Sequence, residues 1–408
     1  MYRFNHWREF LRMNYDSFAV TNLKYYVDKF NQEEVIPIIT NSALESNKNY
    51  DDYALFCLDG WSSEAHYHIV KFLETRYVSK FNHLGPKSKV LFFNEAEGYC
   101  TDEIFYTIHF VVKVHKLNPK NVVYRNLSAN NEEMYNLYCD KNDIPYEDRI
   151  LLDQSFYFNN INAPVYKKNE VYNEILPFEQ KKLFINLNWN KWNHRLVAIA
   201  LWHYFDLIDD GYITSPCKNK FKYDVDLDFG VLLEGADQLL DDHPMKIEVI
   251  EKLQSLKPKY PLMIDDRSKY NDSNEGIYGP EIKVPVFTAR KNSHFEVVSE
   301  TYVHGPIMFT EKSYWPIMES TPFFQLNSRN SLKQLHKAGY KTFSPYIDES
   351  YDEETNPVDK IIKIAKELQR FKKLKQENIV EFTNLYNKLQ DIAKYNAEVF
   401  SHTTFRKC

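Results

Sequence analysis

The sequence predicts an α/β protein with two units, each a parallel sheet covered by helices. Three observations support this fold class. The 408 residues suffice for two domains of about 100–200 residues each. Short apolar runs alternate with helical patterns in two successive series, and a polar, proline-containing segment separates them. Hydrophobic residues make up 43% of the chain, which is enough for two sizeable cores.

The first series starts with the apolar run "YALFCLDG" (Tyr53–Gly60), which predicts a strand ending in a turn. Three further runs predict strands of the same kind: "KVLFF", "NVVYR" and "RILLD". Patterns with helical period stand between them, and Thr101–Leu117 has a Thr cap and acidic residues in its first turn. Strands that alternate with helices in this way predict a parallel sheet.

The polar segment Asn159–Gln180 marks the predicted domain boundary, so we expect one unit at 1–170 and a second at 175–378. The second series runs through "KKLFINL", the helical "HRLVAIALWHYF" and the short strand "YITS". A long irregular insert follows, and the strands "FEVVSE" and "PFFQL" come after it, each followed by a helical pattern. In open parallel sheets, ligands bind beyond the carboxyl ends of the strands, so functional residues are expected there.

Two amphipathic helices are predicted at the end of the chain. Their apolar stripes are Ile361, Ile364, Leu368 and Phe371 in one, and Ile379, Phe382, Leu385, Leu389 and Ile392 in the other. We treat the second helix, 379–408, as a separate element. A helical hairpin packed only on the second unit is the alternative to a helix that returns to the first unit.

Composition excludes several classes of protein. No apolar run approaches the ~18 residues of a membrane span, and the charged start lacks the apolar core of a signal peptide, so we expect a cytoplasmic protein. Five cysteines, all isolated, favour reduced thiols over a disulfide or zinc framework. Only 10 residues are glycine, and neither GxGxxG nor GxxxxGK[ST] occurs, which disfavours Rossmann dehydrogenases and P-loop enzymes. With a net charge of −6, nucleic-acid binding would need a local basic patch.

Four residues of the second unit stand where a strand ends or a helix begins: Arg195, Glu300, Glu311 and Lys312. Arginine at a helix start favours an anion, a carboxylate can bridge the hydroxyls of a ribose, and a lysine can neutralise a diphosphate. For Thr310–Lys312 the alternative is an ordinary capped helix start, with glutamate favoured by the helix dipole.

Asp224, Asp226 and Asp228 form a DxD pattern in "KYDVDLDFG". Such a pair can hold a divalent metal in the GT-A class of glycosyltransferases, but alternation with apolar residues favours an exposed edge strand. We therefore predict an edge strand here and no metal site.

From about Lys182 to Phe371 the chain resembles a glycosyltransferase-like family of tailed phages and marine bacteria. The matching elements, in order, are "FINLNWNKWNHRLVAIALW", "VVSET", "FTEKSYWPI", "TPFFQL", "SLKQLHKAGYKTF" and "IDESYD". The Thr-Glu-Lys element also resembles the donor motif of fucosyltransferases of the GT-B type. The chain departs from the family at Ser320, Thr321 and Ser328, which stand where the family has glycines flanking the Pro-Phe strand.

The resemblance implies a GT-B-like fold, with two Rossmann-like domains facing a cleft and a C-terminal helix that crosses back to the first. It also implies that Glu311 binds a ribose and that Lys312 and Arg195 bind the diphosphate. Glu300 is expected to contribute to the same donor site. The two tryptophans of "NWNKWN" could stack on a base or a sugar, or pack between domains.

The expected activity is transfer of a sugar from a UDP- or GDP-sugar to a hydroxyl group, with inversion and without a bound cofactor or required metal. For the general base we favour Glu97, with Glu95 next and Asp59 in reserve, because "FFNEAEGY" ends a strand in carboxylates. The expected acceptor is a hydroxymethylated base in phage DNA, which places the protein in the host cytoplasm and makes double-stranded DNA a partner. The alternatives are a cell-surface or virion glycan as acceptor, or a non-catalytic nucleotide- or sugar-binding module.

Overall fold

The structure, a computed structural model, divides into two compact units, Met1–Tyr157 and Phe158–Cys408. The residues that it describes are 53–57, 86, 89–93, 102–114, 116–126, 128–153, 175–188, 192–214, 225–260, 262, 264, 286 and 288–405. Within them, no helix has both the length and the apolar character needed to span a membrane. The division falls just before the segment in which we predicted a domain boundary.

Four parallel strands form the sheet of the first unit, in the spatial order β1-β2-β3-β4. The elements described there are β1 (Tyr53–Cys57), β2 (Lys89–Phe93), α1 (Asp102–Val114), β3 (Val122–Arg125), α2 (Asn131–Lys141) and β4 (Leu151–Asp153). Phe105 of α1 is fully buried and its ring meets Tyr124 of β3 edge-on, with centroids 5.9 Å apart. This contact joins a helix to the sheet, as the alternating pattern of the sequence predicts.

The second unit also has four parallel strands, but their spatial order is β6-β5-β7-β8. Its elements are β5 (Lys182–Asn186), α3 (Asn193–Tyr204), β6 (Gly211–Ile213), α4 (Val225–Leu239), α5 (Lys246–Gln254), β7 (Ser293–Ser299), α6 (Glu311–Met318), β8 (Phe323–Leu326), α7 (Ser331–Lys337), α8 (Pro357–Glu377) and α9 (Ile379–Phe405). The chain moves outward from β5 in one direction to β6 and in the other to β7. The point between β5 and β7 is therefore a topological switch point, where open α/β sheets bind ligands.

Burial along β7 and β8 agrees with the parallel arrangement of the second sheet. All seven residues of β7 and all four of β8 are buried, so helices cover both faces of these strands. A strand that is buried on both faces is typical of parallel sheets. The α/β class with parallel sheets is therefore confirmed.

The predicted edge strand at Asp224–Asp228 is wrong, because Val225–Leu239 forms helix α4. Buried residues recur further along at helical spacing, at Phe229, Leu232 and Ala236, and this longer 3.6-residue period outweighs the short alternation of aspartates. Gly235 allows close packing of α4 on α3, since a Cβ there would lie 2.3 Å from the Leu196 side chain.

Helices α8 and α9 have the predicted apolar stripes, and they are separated at Asn378. Ile361, Ile364, Leu368 and Phe371 are fully buried in α8. In α9, Phe382 is fully buried and its ring lies near those of Phe178, His294 and Phe371. Within the described residues, α9 packs on α6 and α8 of the second unit. Return of this helix to the first unit stays a prediction.

Helix α6 ends in a Schellman motif whose left-handed residue is a serine. The N–H of Ser320 donates to the Ile317 carbonyl, and the N–H of Thr321 donates to the Pro316 carbonyl. Ser320 has φ +54°, a conformation that glycine adopts at little cost and other residues do not. Ser320 is one of the positions where the resembled family has glycine.

We expect Ser320→Gly to raise the free energy of unfolding by about 0.5–1 kcal/mol, because glycine relieves the left-handed strain. Urea denaturation measures the change. The matched variant is Ser320→Ala, which keeps a Cβ and should not stabilise the protein. Equal effects of the glycine and alanine variants would contradict the explanation.

Candidate functional site

Buried polar side chains converge on the carboxyl ends of β5 and β7, at the switch point of the second sheet. Arg195, in the first turn of α3, is 1% exposed. Its guanidinium donates to the carbonyl oxygens of Ser299 and Glu300, at 3.0 and 3.1 Å. Arg195 therefore connects the helix that follows β5 to the end of β7.

Glu300 comes directly after β7, and its carboxylate is buried completely. Its oxygens accept hydrogen bonds from the Thr310 N–H at 2.8 Å, the Thr310 hydroxyl at 2.7 Å and the Ser313 hydroxyl at 2.5 Å. The carboxylate thus satisfies donors at the start of α6, where backbone N–H groups lack partners within the helix. Negative charge is also favoured at this end of a helix dipole.

Lys312 lies in the first turn of α6 and is held above Glu300. Its ammonium donates to the Thr310 hydroxyl at 2.9 Å and lies 3.8 Å from the Glu300 carboxylate. The Lys312 side chain is 26% exposed, so it can reach a ligand at the edge of the sheet. The residue before it, Glu311, is the first of the helix.

His194, next to Arg195, is buried, and its imidazole is uncharged at neutral pH. Burial, followed by the positive charge of Arg195, lowers the pKa of His194 to about 3, against the effect of its 2.9 Å hydrogen bond with the Glu300 carbonyl. The charges of His304 and Lys312 lower this pKa further. Since a carbonyl only accepts, Nε2 of the neutral ring must donate in that bond.

A second buried cation stands at the neighbouring strand end. Lys360 of α8 is completely buried, and its ammonium donates to the carbonyl of Asn327 at 2.7 Å, just after β8. Burial lowers the pKa of Lys360 to about 8, while the charges of Asp352 and Glu354 raise it. Burial and then the charge of Lys360 also lower the pKa of His304. The carboxyl ends of the strands thus carry the cations Arg195, Lys312 and Lys360.

Asp352 fixes the turn that follows β8. Its carboxylate accepts from the Ser331 hydroxyl at 2.7 Å and from the Leu332 N–H at 2.9 Å, at the start of α7. Asn330, just before the helix, has φ +64°, a left-handed conformation that asparagine tolerates better than most residues. The turns after β7 and β8 are therefore each held by a buried carboxylate.

Asn186, the last residue of β5, holds the two central strands together beneath this edge. Its side-chain amide donates to the Val297 carbonyl at 2.7 Å and to the Ser299 hydroxyl at 3.0 Å. Its carbonyl oxygen accepts from the Trp202 indole at 3.1 Å and from Asn188 at 2.9 Å. These bonds make the switch point rigid, which suits a site that must hold a ligand in one geometry.

The structure brings together three of the four predicted donor-site side chains. Arg195, Glu300 and Lys312 meet at the switch point, and Glu311, the residue before Lys312, is the first residue of α6. Arg195 and Glu300 are too deeply buried to be the first groups that a ligand meets, so we assign them to positioning. The three predicted base candidates, Asp59, Glu95 and Glu97, lie outside the described residues.

Sequence reasoning missed His194, Ser313, Asp352 and Lys360. The residue next to Arg195 and the serine in the first turn of α6 were visible as neighbours of predicted residues. Asp352 stands in the quoted "IDESYD", so a motif marked it without indicating a role. No local pattern marks Lys360, which occupies an ordinary helix and reaches its partner across 33 residues.

Comparison with known proteins identifies no relative of this chain. No family model matches it, and neither a curated protein nor a solved structure shows significant similarity.

Glu300→Gln should lower the free energy of unfolding by about 2–3 kcal/mol, the scale of lost hydrogen bonds to a buried charged group. The amide nitrogen would face Thr310 and Ser313, whose donors need an acceptor, and Lys312 would lose its counter-charge. Urea denaturation tests this. Glu353→Gln removes the same charge from an exposed position and should change stability by less than about 0.5 kcal/mol; equal effects of the two variants would contradict the role of Glu300.

Proposed function

We propose that the protein is a glycosyltransferase of GT-B type that moves a sugar from a nucleoside-diphosphate sugar to a hydroxyl acceptor. The observation that carries the proposal is the position of Lys312. Its partly exposed ammonium stands in the first turn of a helix, at the switch point of a parallel sheet. Helix N-termini and switch points are the places where α/β folds bind phosphates.

Charge supports an anionic ligand at this edge. Lys312 and Arg195 stand at the end of β7, and Lys360 stands at the next strand end. The buried carboxylate of Glu300 already has three hydrogen-bond donors, so it offsets part of this positive charge without occupying the site. A diphosphate supplies the remaining negative charge, and its oxygens accept from Lys312 and from backbone N–H groups.

Each residue of the site has a separate role in this proposal. Lys312 contacts the diphosphate, and Glu311 binds the hydroxyls of the ribose. Arg195 and Glu300 keep β7, α3 and α6 in place around the nucleotide. Trp192 is 39% exposed and its ring lies 6.4 Å from that of Tyr302, which suits stacking of a planar base at the rim.

The proposed donor is a UDP- or GDP-sugar, the reaction inverts the anomeric carbon, and neither a metal nor a bound cofactor takes part. The proposed acceptor is a hydroxymethylated base in phage DNA, reached when the base leaves the duplex. A glycan acceptor differs in one measurable property, because a glycan has no steep salt dependence of binding. A panel of nucleotide sugars identifies the donor, since a bound ligand raises the melting temperature.

Lys312→Ala should weaken binding of the nucleotide sugar that the panel selects by roughly 1–3 kcal/mol, which is about 5- to 150-fold. Calorimetry measures the dissociation constant. Lys291→Ala is the matched control, because the Lys291 side chain is similarly exposed, at 35%. Lys291 pairs with Glu319 and precedes β7, so it stands at the amino end of that strand. Unchanged affinity in the Lys312 variant would remove this residue from the site.

Catalysis needs a base opposite the leaving diphosphate, and we assign it to the first unit. Glu97→Gln should lower turnover by ~10²–10⁴-fold while donor affinity changes little, because a positioned general base contributes that much to the rate. Glu95→Gln is the comparison and Asp59→Asn the third variant. Wild-type turnover in all three would place the base elsewhere.

A further inference from the structure

A second charged surface lies at the amino ends of the strands of the second sheet, away from the candidate site. It is a groove of about 460 Å³ between α7, the loop after α7, and α9. The Phe343 ring of this loop meets Phe323, the first residue of β8, with ring centroids 5.4 Å apart. The groove is therefore at the amino ends of the strands, whereas Lys312 stands at the carboxyl ends.

The segment that forms one wall of the groove is strongly basic. Between Asn330 and Asp348 the sequence contains Lys333, Lys337 and Lys341 but no acidic residue. This distribution is unusual in a chain whose net charge is −6. The segment therefore forms a local positive region on an acidic protein, the feature required for attraction of a polyanion.

The groove lining contains three basic side chains from two walls: His336, Lys341 and Lys388. The Lys341 ammonium lies 4.0 Å from the centroid of the Tyr395 ring, and that of Lys388 lies 5.6 Å from the centroid of Tyr346. Among the described residues, no carboxylate forms an ion pair with either lysine. Both charges therefore remain available to a ligand.

One acidic residue, Asp391, lines the groove, and it lies 3.9 Å from Lys394 on the next turn of α9. That exposed pair reduces the repulsion that Asp391 would exert on an anion. The lining is thus net positive even when this aspartate is counted.

A half-buried acidic side chain holds the loop that lines the groove. Glu349 accepts a hydrogen bond from the Phe343 N–H at 2.7 Å, and the Arg370 guanidinium donates to the Tyr346 carbonyl at 2.8 Å. On the opposite side, the side chain of Asn396 bonds both the N–H and the carbonyl of Lys341. The backbone that carries Lys341 and Tyr346 is thus fixed before any ligand arrives.

We propose that this groove binds the phosphodiester backbone of a nucleic acid. The basic groups are spread over two helices and a loop rather than gathered around one point, which suits an extended polyanion better than a single phosphate. The exposed lysines provide charge without a pattern of base recognition, so binding is independent of sequence. The inference does not rest on sugar transfer, since none of these residues belongs to the candidate donor site.

The test is fluorescence anisotropy of the full-length protein with a labelled DNA duplex, without nucleotide sugar, at salt concentrations between about 50 and 200 mM. Each phosphate contact with a duplex contributes ~0.9 to the slope of log affinity against log salt. The variant K341Q/K388Q should therefore reduce that slope by about 1.8. It should also weaken binding at the lowest salt concentration.

The matched control is K252Q/K259Q, which removes two lysine charges paired with Asp206 and Asp209 near α5. It should leave the slope unchanged. An equal loss in both double variants would show a net-charge effect and overturn the proposal, as would an unchanged slope in K341Q/K388Q or failure of the wild-type protein to bind duplex at low salt. Competition by pyrophosphate at the same phosphate concentration as duplex would also overturn it, in favour of a small-anion site.

Discussion

The buried carboxylate of Glu300 is the interaction on which the candidate site depends. A carboxylate removed from water is costly unless its oxygens are fully hydrogen-bonded. Here the start of α6 supplies the donors, through Thr310 and Ser313, and Lys312 supplies a counter-charge. The same contacts fix the direction in which α6 leaves the sheet. As a result, the position of the one partly exposed ammonium in this group is set by a residue that has no exposed surface.

The turn after β8 follows a similar principle. Asp352 satisfies donors at the start of α7, and Lys360 satisfies the carbonyl of Asn327. These ionised groups lie close to each other in the interior, which keeps Lys360 charged at neutral pH although burial lowers its pKa to about 8. Buried charges of this kind rarely maximise stability, because desolvation offsets much of their attraction. The buried charged groups at the carboxyl ends of the second sheet's strands are therefore better explained by a binding site, which requires fixed geometry and local charge.

The fold class was predictable because it depends on local periodicity. Runs such as "KVLFF" and "PFFQL" are short, apolar and bounded by polar residues, and each contains a parallel strand. The edge strand predicted at Asp226 and Asp228 was wrong because it rested on a six-residue alternation of aspartates with apolar residues. That short pattern also fits the first turn of a 15-residue helix. The order of strands in the second sheet was not predicted. That order depends on which strands pair, and nothing in a single strand encodes its neighbour.

The candidate site was predictable in part, for the same reason. Arg195, Glu300 and Lys312 could be selected because each stands beside a strand end or a helix start. Their division into exposed and buried groups required the contacts between β7, α3 and α6. Lys360 could not be found at all, since a lysine in an amphipathic helix is ordinarily exposed and its burial follows from packing against a distant turn.

In the proposed complex, the start of α6, organised by Glu300, receives the diphosphate of a nucleotide. Hydrogen–deuterium exchange of the full-length protein, with and without saturating UDP or GDP, measures whether this segment contacts the nucleotide. We expect slower exchange with one of the two nucleotides at the backbone amides between Glu300 and Met318 and in the first turn of α3. Saturating binding that leaves these amides unchanged, or no binding of either nucleotide, would contradict it.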